Sequence, residues 1–373
     1  MKPIPPEIIA YIIDQACAIQ QIPAPTFAEQ ERASYLQEQF ARLGVKEISQ
    51  DAAGNVLACL PGGSARPLVI SAHLDTVHPA DRPLTLQRTP ERITGPGIGD
   101  NSLAVAALLG LARHVLESSI PLPGDLWLVG DVAEEGLGNL KGMTALVNRF
   151  EEKPAAYLIL EGLGLGMIYH RGLGVSRYRI RVDTAGGHSW GDYGIPSAIH
   201  ELAHLITRLT GMTLPTEPRT TLNVGIIHGG ISVNTIASHA WMDLDLRSED
   251  YRTLQRLVGR VQQRVQESAG PGVSITMEAI GERPAGEIPG SHPLVQAARA
   301  CLQKRRIQAM LEVGSTDANI PLSRGYPAVC VGLTRGGNAH TTEEFILTEP
   351  LAAGMDQVLC LIESAWMRGG SVR

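Results

Sequence analysis

The sequence predicts an α/β protein in which a mainly parallel, doubly wound sheet is interrupted by an inserted, ferredoxin-like α+β module. Three observations lead there. Four short apolar runs, at 67–72, 125–130, 156–160 and 328–333, have the length and continuity of strands buried on both faces. Helical stretches alternate with them, at 102–117 and 143–150, an arrangement that calls for parallel pairing. From about Gly174 to Arg283 the rhythm changes to β-α-β-β-α-β, the order of a ferredoxin-like module.

In chain order, the first run reads Pro67-Leu68-Val69-Ile70-Ser71-Ala72 and is followed by a helix built around an Ala- and Leu-rich centre at 104–112. The runs 125–130 and 156–160 bracket the helix at 143–150. Within the module a strand at 176–182 precedes a helix at 196–209, then strands at 221–227 and 235–246. A second helix follows, because Tyr251, Leu254, Leu257, Val258, Val261 and Val265 recur at three- and four-residue intervals on one face. A strand at 273–280 closes the module. Since α/β signals resume after Pro284, the expected division is 1–173, an insertion at 174–283, and 284–373.

The chain has 373 residues, more than one hydrophobic core usually holds. With 44% apolar and 19% charged residues it has ordinary globular composition. A formal charge of -6 argues against nucleic acid or an anionic membrane as partner. Cys17, Cys59, Cys301, Cys330 and Cys360 are odd in number, widely spaced and set among apolar residues, so they read as buried free thiols in a reducing cytoplasm. Proline and acid interrupt the start of the chain before any apolar segment forms, and no apolar run is long enough to span a bilayer. Neither a signal peptide nor a membrane span is expected.

The chemistry lies just past the apolar runs. His73-Leu74-Asp75 follows the first, Ala133-Glu134-Glu135-Gly136 the second, Glu161-Gly162 the third, and a glycine-rich turn with His340 the fourth. Side chains beyond the carboxyl ends of strands in an open α/β sheet converge on one crevice. Asp100 joins them from the turn 95–101 before the long helix. Imidazoles and carboxylates gathered in one crevice are costly to bury without a cation, and mixed nitrogen and oxygen ligands suit Zn²⁺ best, with Mn²⁺ or Co²⁺ able to occupy the same donors. His73 and Asp75 project to the same side of an extended segment, so Asp75 is expected to accept the second ring N–H of His73. Each feature alone has a plainer reading: Asp100-Asn101-Ser102 as a helix cap, Glu134-Glu135 as an exposed turn, Gly187-His188-Ser189 as a glycine turn, Arg247 as the partner of Asp245 or Asp243.

As an ordered set, the residues resemble the co-catalytic di-zinc exopeptidase and deacylase family that includes peptidase T, carboxypeptidase G, succinyl-diaminopimelate desuccinylase and aminoacylase, with the peptidase-T-like members most similar. The likeness runs through His73-Leu74-Asp75, Gly99-Asp100-Asn101, Glu134-Glu135-Gly136, Glu161, Gly187-His188-Ser189, Asn234, Asp245-Leu246-Arg247 and Ala339-His340-Thr341. It implies a catalytic domain with an inserted lid and dimerisation domain, and an enzyme cleaving an amide bond in a short peptide as an aminopeptidase, or in an N-acyl amino acid as a deacylase or carboxypeptidase. Asp100 would bridge two zinc ions, one also held by His73 and Glu161, the other by Glu135 and His340. Glu134 would be the general base, with Asp75 and His188 the other catalytic residues. The resemblance further implies a homodimer through the inserted domain, His188 as oxyanion donor in the partner's site, and substrate contacts from Asn234 and Arg247. A cis peptide at Asp100–Asn101 and a place for residues 314–319 near the metal site or substrate pocket follow from it too.

Overall fold

The computed structural model describes residues 3–369. By contact the chain divides into two compact units: one comprises the chain up to Gly172 and from Gly286 onward, the other Leu173–Ala285. The first unit is built on one large mixed sheet. Its strands run in the order Glu47–Gln50, Val56–Leu60, Gly124–Asp131, Ala65–His73, Ala156–Glu161, Ala328–Gly332, Met167–Gly172 and Gly286–Glu287, with Met310–Gly314 also pairing Met167–Gly172.

The four apolar runs of the sequence are the four central, mutually parallel strands, in registers such as Ile70↔Leu128, Val69↔Tyr157 and Val331↔Leu160. Their residues are almost wholly buried, which explains why they lack polar alternation. Antiparallel strands flank this centre: Val56–Leu60 on Gly124–Asp131, and Met167–Gly172 on Ala328–Gly332. These are the strands that the alternating pattern did not reveal. The helix Leu103–Glu117 is buried nearly all round and shows no polar stripe. It packs on Pro6–Gln20 across Gly110, where a Cβ would come within 2.3 Å of Ile12 Cγ1, so only glycine lets the two helices approach.

A separate small sheet matters most for the site. It joins Gly336–Gly337, Phe345–Leu347, Arg92–Thr94 and Gln87–Arg88 in that order. Pairing of Phe345–Leu347 with Arg92–Thr94 carries the loop 338–344 alongside the turn 95–102. Strands of two or three residues leave no periodicity, and the sequence held no sign of this sheet.

The second unit has a four-stranded antiparallel sheet in the order Thr220–Gly229, His239–Ser248, Gly174–Thr184 and Val273–Arg283, with helices Ala198–Thr210 and Tyr251–Ser268. Leu202, Leu205 and Leu209 of one helix and Leu254, Leu257, Val261 and Val265 of the other share a core with Ile180, Met242 and Leu244 of the sheet. Asp250 caps the second helix by accepting from Thr253 N at 2.7 Å. The single strand expected at 235–246 is two: Thr235–Ile236 pairs with Gly187–His188, and His239–Ser248 joins the main sheet. Both pieces are extended and apolar, so their different partners are invisible locally.

The cysteine reading also requires correction. Cys301 and Cys360 form a disulfide between helices Pro293–Lys304 and Leu351–Gly369, while Cys17, Cys59 and Cys330 are free. Helix packing brings together two residues 59 apart, which spacing alone could not disclose. The cysteines therefore no longer argue for a reducing compartment. Among the described residues no helix is long and apolar enough to cross a membrane.

Candidate metal centre

Parallel pairing aligns the carboxyl ends of the central strands: His73 stands opposite Asp131, and Glu161 opposite Gly332. His73 and Glu161 are the last residues of their strands, and Glu134 and Glu135 follow Asp131 within one short turn. Asp100 arrives from the irregular turn Ile98–Ser102, and its peptide bond to Asn101 is cis. His340 arrives from the loop between Gly336–Gly337 and Phe345–Leu347 of the small sheet.

The two carboxylate oxygens of Asp100 face two different imidazoles. Oδ1 lies 3.1 Å from His73 Nε2 and Oδ2 lies 3.1 Å from His340 Nε2. Glu161 Oε2 is 3.7 Å from His73 Nε2, and Glu135 Oε1 is 3.2 Å from His340 Nε2. Three sets of side chains bring ligand atoms within 4.8 Å of one another: His73 with Asp100 and Glu161, Asp100 with Glu135 and His340, and His73 with Glu134 and Glu135. His73, Glu134 and Glu135 are buried, Asp100 and Glu161 partly so, and His340 is exposed.

Charge crowding shifts these groups. Burial pushes His73 towards its neutral form, but Asp100, Asp75 and Glu161 outweigh it and hold the imidazole well above its usual range. Asp100 and Glu135 raise His340 to about 10. Burial, against the opposing pull of His73, raises Glu161 to about 7, with Asp100 and Glu135 adding to the rise. Burial works against ionised Asp100, yet its hydrogen bonds with His340 and His73 keep it well below the carboxylate range. A cation bound among these groups would compete with the protons that they hold.

A pH dependence follows. His340 titrates near 6.5 in an unfolded chain and near 10 in the metal-free fold, so its contribution to the stability of that fold is full below 6.5 and fades as pH rises towards 10. The metal-free melting temperature is therefore expected to fall over this window while divalent-metal affinity rises. Melting curves and calorimetric titration across the window check both trends; an affinity independent of pH there would contradict this charge balance.

The chain matches the profile of peptidase family M20/M25/M40 over residues 69–364. It belongs to this family. It is 25% identical over 340 residues to a succinyl-diaminopimelate desuccinylase of Corynebacterium glutamicum, covering 87% of this chain and 88% of that protein. In fold it is similar to a tripeptidase from Staphylococcus aureus, with a TM-score of 0.80, 22% identity, and coverage of 96% of this chain and 99% of that one. A dinuclear metal binding peptidase of the same family from Bacillus subtilis shares the fold at a TM-score of 0.71 and 16% identity, covering 97% of this chain and 99% of that one. The M20 chain is thus a hydrolytic enzyme of the metallopeptidase and amidohydrolase type.

Within this M20 chain, Asp75 plays a different part from the one expected. The ring nitrogen Nδ1 of His73 lies 3.0 Å from the backbone carbonyl of Asp75 and 3.6 Å from its Oδ1, so the carbonyl, not the carboxylate, is within hydrogen-bond reach. The buried carboxylate instead accepts from Glu134 N at 3.0 Å, Glu135 N at 2.9 Å and Thr26 Oγ1 at 2.8 Å. It pins the backbone of the two glutamates. Burial opposes its charge, but His73 and the two backbone N–H groups win, and Asp75 stays below its usual range.

His188, Asn234 and Arg247 all belong to the second unit. His188 is exposed, and its Nδ1 accepts from Trp190 N and Gly191 N, each at 3.2 Å. That acceptor role leaves the ring proton of the neutral form on Nε2. Asn234 is exposed beside it, its carbonyl accepting from Ser189 N at 3.1 Å. Arg247 pairs with Asp245, Nε to Oδ2 at 2.7 Å, as in the plainer of its two readings. Asp317 is buried in the first unit, where burial and the neighbouring Asp131 push its carboxyl well above the usual range; it joins none of the three ligand sets.

Sequence reasoning missed the residues that hold the candidate ligands in place. Asn101 donates to Leu160 O at 3.0 Å and accepts from Gly162 N at 2.9 Å, tying the Asp100 turn to the end of the Glu161 strand. Glu29 accepts from Ala133 N at 3.1 Å, just before Glu134. Arg32, wholly buried, donates to Leu74 O at 2.8 Å and Ile22 O at 2.9 Å. Glu344 accepts from backbone of both the Asp100 turn and the His340 loop. Each works through backbone groups, which carry no sequence signature.

Proposed function

We propose that this M20 hydrolase is a di-zinc exopeptidase that removes a residue from short peptides, as a peptidase-T-like aminopeptidase. The observation that carries the reading is the bifacial carboxylate of Asp100, with one oxygen towards His73 and the other towards His340. The donors fit two cations: each half offers one imidazole and two carboxylates, counting Asp100 in both. The carboxylates outnumber the imidazoles, an excess of negative charge that a cation would offset. His73, Asp100 and Glu161 would hold one Zn²⁺, and Asp100, Glu135 and His340 the other, with Co²⁺ or Mn²⁺ as substitutes. Bound there, the cations supply Lewis acidity, polarising the scissile carbonyl and lowering the pKa of water.

The protein's own groups do the rest. Glu134 takes a proton from the attacking water and returns it to the leaving amine, as general base and then general acid. Asp75 aims Glu134 through its backbone N–H. The Nε2–H of His188 donates to the oxyanion, a role worth about 3 kcal/mol in comparable sites. Asn234 and Arg247 contact the substrate, with Arg247 suited to a carboxylate once released from Asp245.

His188 is supplied across a homodimer formed by the Leu173–Ala285 unit. Support comes from the edge strand Thr220–Gly229, where Ile226 and Ile227 are exposed, and from the adjoining Ile231 and Val233, which are almost fully solvent-accessible.

Relatedness to a desuccinylase favours a second reading, an N-acyl-amino-acid deacylase or carboxypeptidase. A panel of tripeptides, peptides with blocked amino termini and N-acyl amino acids, assayed with Zn²⁺, Co²⁺ and Mn²⁺, separates the two. Release of the amino-terminal residue is expected, and activity confined to acylated substrates would replace the first reading by the second.

A further inference from the structure

Glu344 lies among the metal-binding groups without being one of them. It is fully buried, and its carboxylate accepts from four backbone N–H groups. Oε1 takes Gly99 N and Asp100 N, each at 2.7 Å. Oε2 takes Gly97 N and His340 N, each at 3.3 Å. The backbone carbonyl of Glu344 also accepts from Gly95 N at 2.8 Å. One side chain therefore grips two segments that lie 240 residues apart in sequence and carry Asp100 and His340. His340 sits at a φ of 67°, a left-handed conformation that a residue with a side chain rarely adopts unless its surroundings impose it. The hydrogen bond from its own N–H to Glu344 is one such constraint.

We infer that Glu344 is a positioning residue that locks His340 against Asp100 and thereby sets the affinity of the cation held by Asp100, Glu135 and His340. The inference rests on the metal reading proposed above. Its logic is the two-oxygen geometry. A glutamine has the same shape but only one oxygen, so its amide NH₂ must face one pair of N–H donors. The shorter pair, from Gly99 and Asp100, keeps the oxygen, and the longer pair, including His340 N, is repelled. The Asp100 turn then stays in place while the His340 loop is released. Outer groups that orient metal ligands typically govern about 10–100-fold in metal affinity.

The test is a Co²⁺ titration of metal-free wild type, E344Q, E344D and H340A, followed by calorimetry and by the visible absorption of bound Co²⁺. Wild type is expected to take up two ions. E344Q is expected to keep the ion of the His73, Asp100 and Glu161 half and to bind the ion of the Asp100, Glu135 and His340 half about 10–100-fold less well, with the spectrum of the remaining ion unchanged. E344D, whose carboxylate is withdrawn by one methylene, should lose the same ion. H340A should reproduce that loss, and the double variant E344Q/H340A should lose nothing further. Two ions bound by E344Q at wild-type affinity would overturn the inference. So would failure of E344Q to fold without metal, seen by circular dichroism, since Glu344 would then be a structural residue only. Uptake of fewer than two ions by wild type, or retention of both by H340A, would instead overturn the metal reading and this inference with it.

Discussion

Replacing Glu134 by Ala is expected to lower turnover by about 10²–10⁴-fold while leaving metal content nearly unchanged. Glu134 is the one carboxylate in the cluster whose proposed task is to move a proton. Its side chain is buried, and its backbone is held by Asp75 independently of what the side chain does. Removing the carboxylate should therefore leave Glu135 and His73 where they are. Glu134→Gln keeps the shape without the basicity and should be as inactive as the Ala variant. Steady-state kinetics beside elemental analysis of the purified variants gives the answer. Because Glu134 also forms a set with His73 and Glu135, parallel loss of metal and activity would reassign it as a ligand.

An even larger effect is expected at Asp100. Its two oxygens are shared between the His73 half and the His340 half, so Asp100→Ala leaves each half with one imidazole and one carboxylate. Two ligands hold a divalent cation poorly. Affinity should fall by more than the ~10–100-fold usual for loss of an outer supporting group, for both ions together, and activity with it. Asp100→Asn retains one oxygen and should spare one half better than the other. Simultaneous loss distinguishes a bridging ligand from one serving a single ion. An Asp100→Ala protein that still binds two cations at wild-type affinity would remove Asp100 from the centre.

The four central strands were legible because burial on both faces leaves continuous apolar runs, and the expected bounds differ from the observed ones by a residue or two. His73, Glu135 and Glu161 were legible for a related reason. Ionisable side chains placed at the end of a buried strand stand out against the run that precedes them. The strand split at Ala237-Ser238, the two- and three-residue strands around His340, and the Cys301–Cys360 bridge were not legible. Short segments make too few local hydrogen bonds and bury too few residues to impose a period. The expected partner of the Asp75 carboxylate, the His73 ring, was not the one found, since a carboxylate two residues from an imidazole can accept from backbone N–H groups of a remote turn as readily as from the ring.

By itself the sequence determined which segments are strands and helices of the larger unit and which residue types wait at the strand ends, because periodicity and burial are properties of a segment and its own side chains. Only the tertiary structure decided that Asp100 turns one oxygen to His73 and the other to His340, that Asp75 grips two glutamates by their backbone, and that Glu344 ties two distant loops together. Those contacts depend on where the backbone N–H groups of remote segments come to rest. Each residue has the same main chain, so nothing in the residue order distinguishes the N–H groups that will meet a buried carboxylate from those that will not.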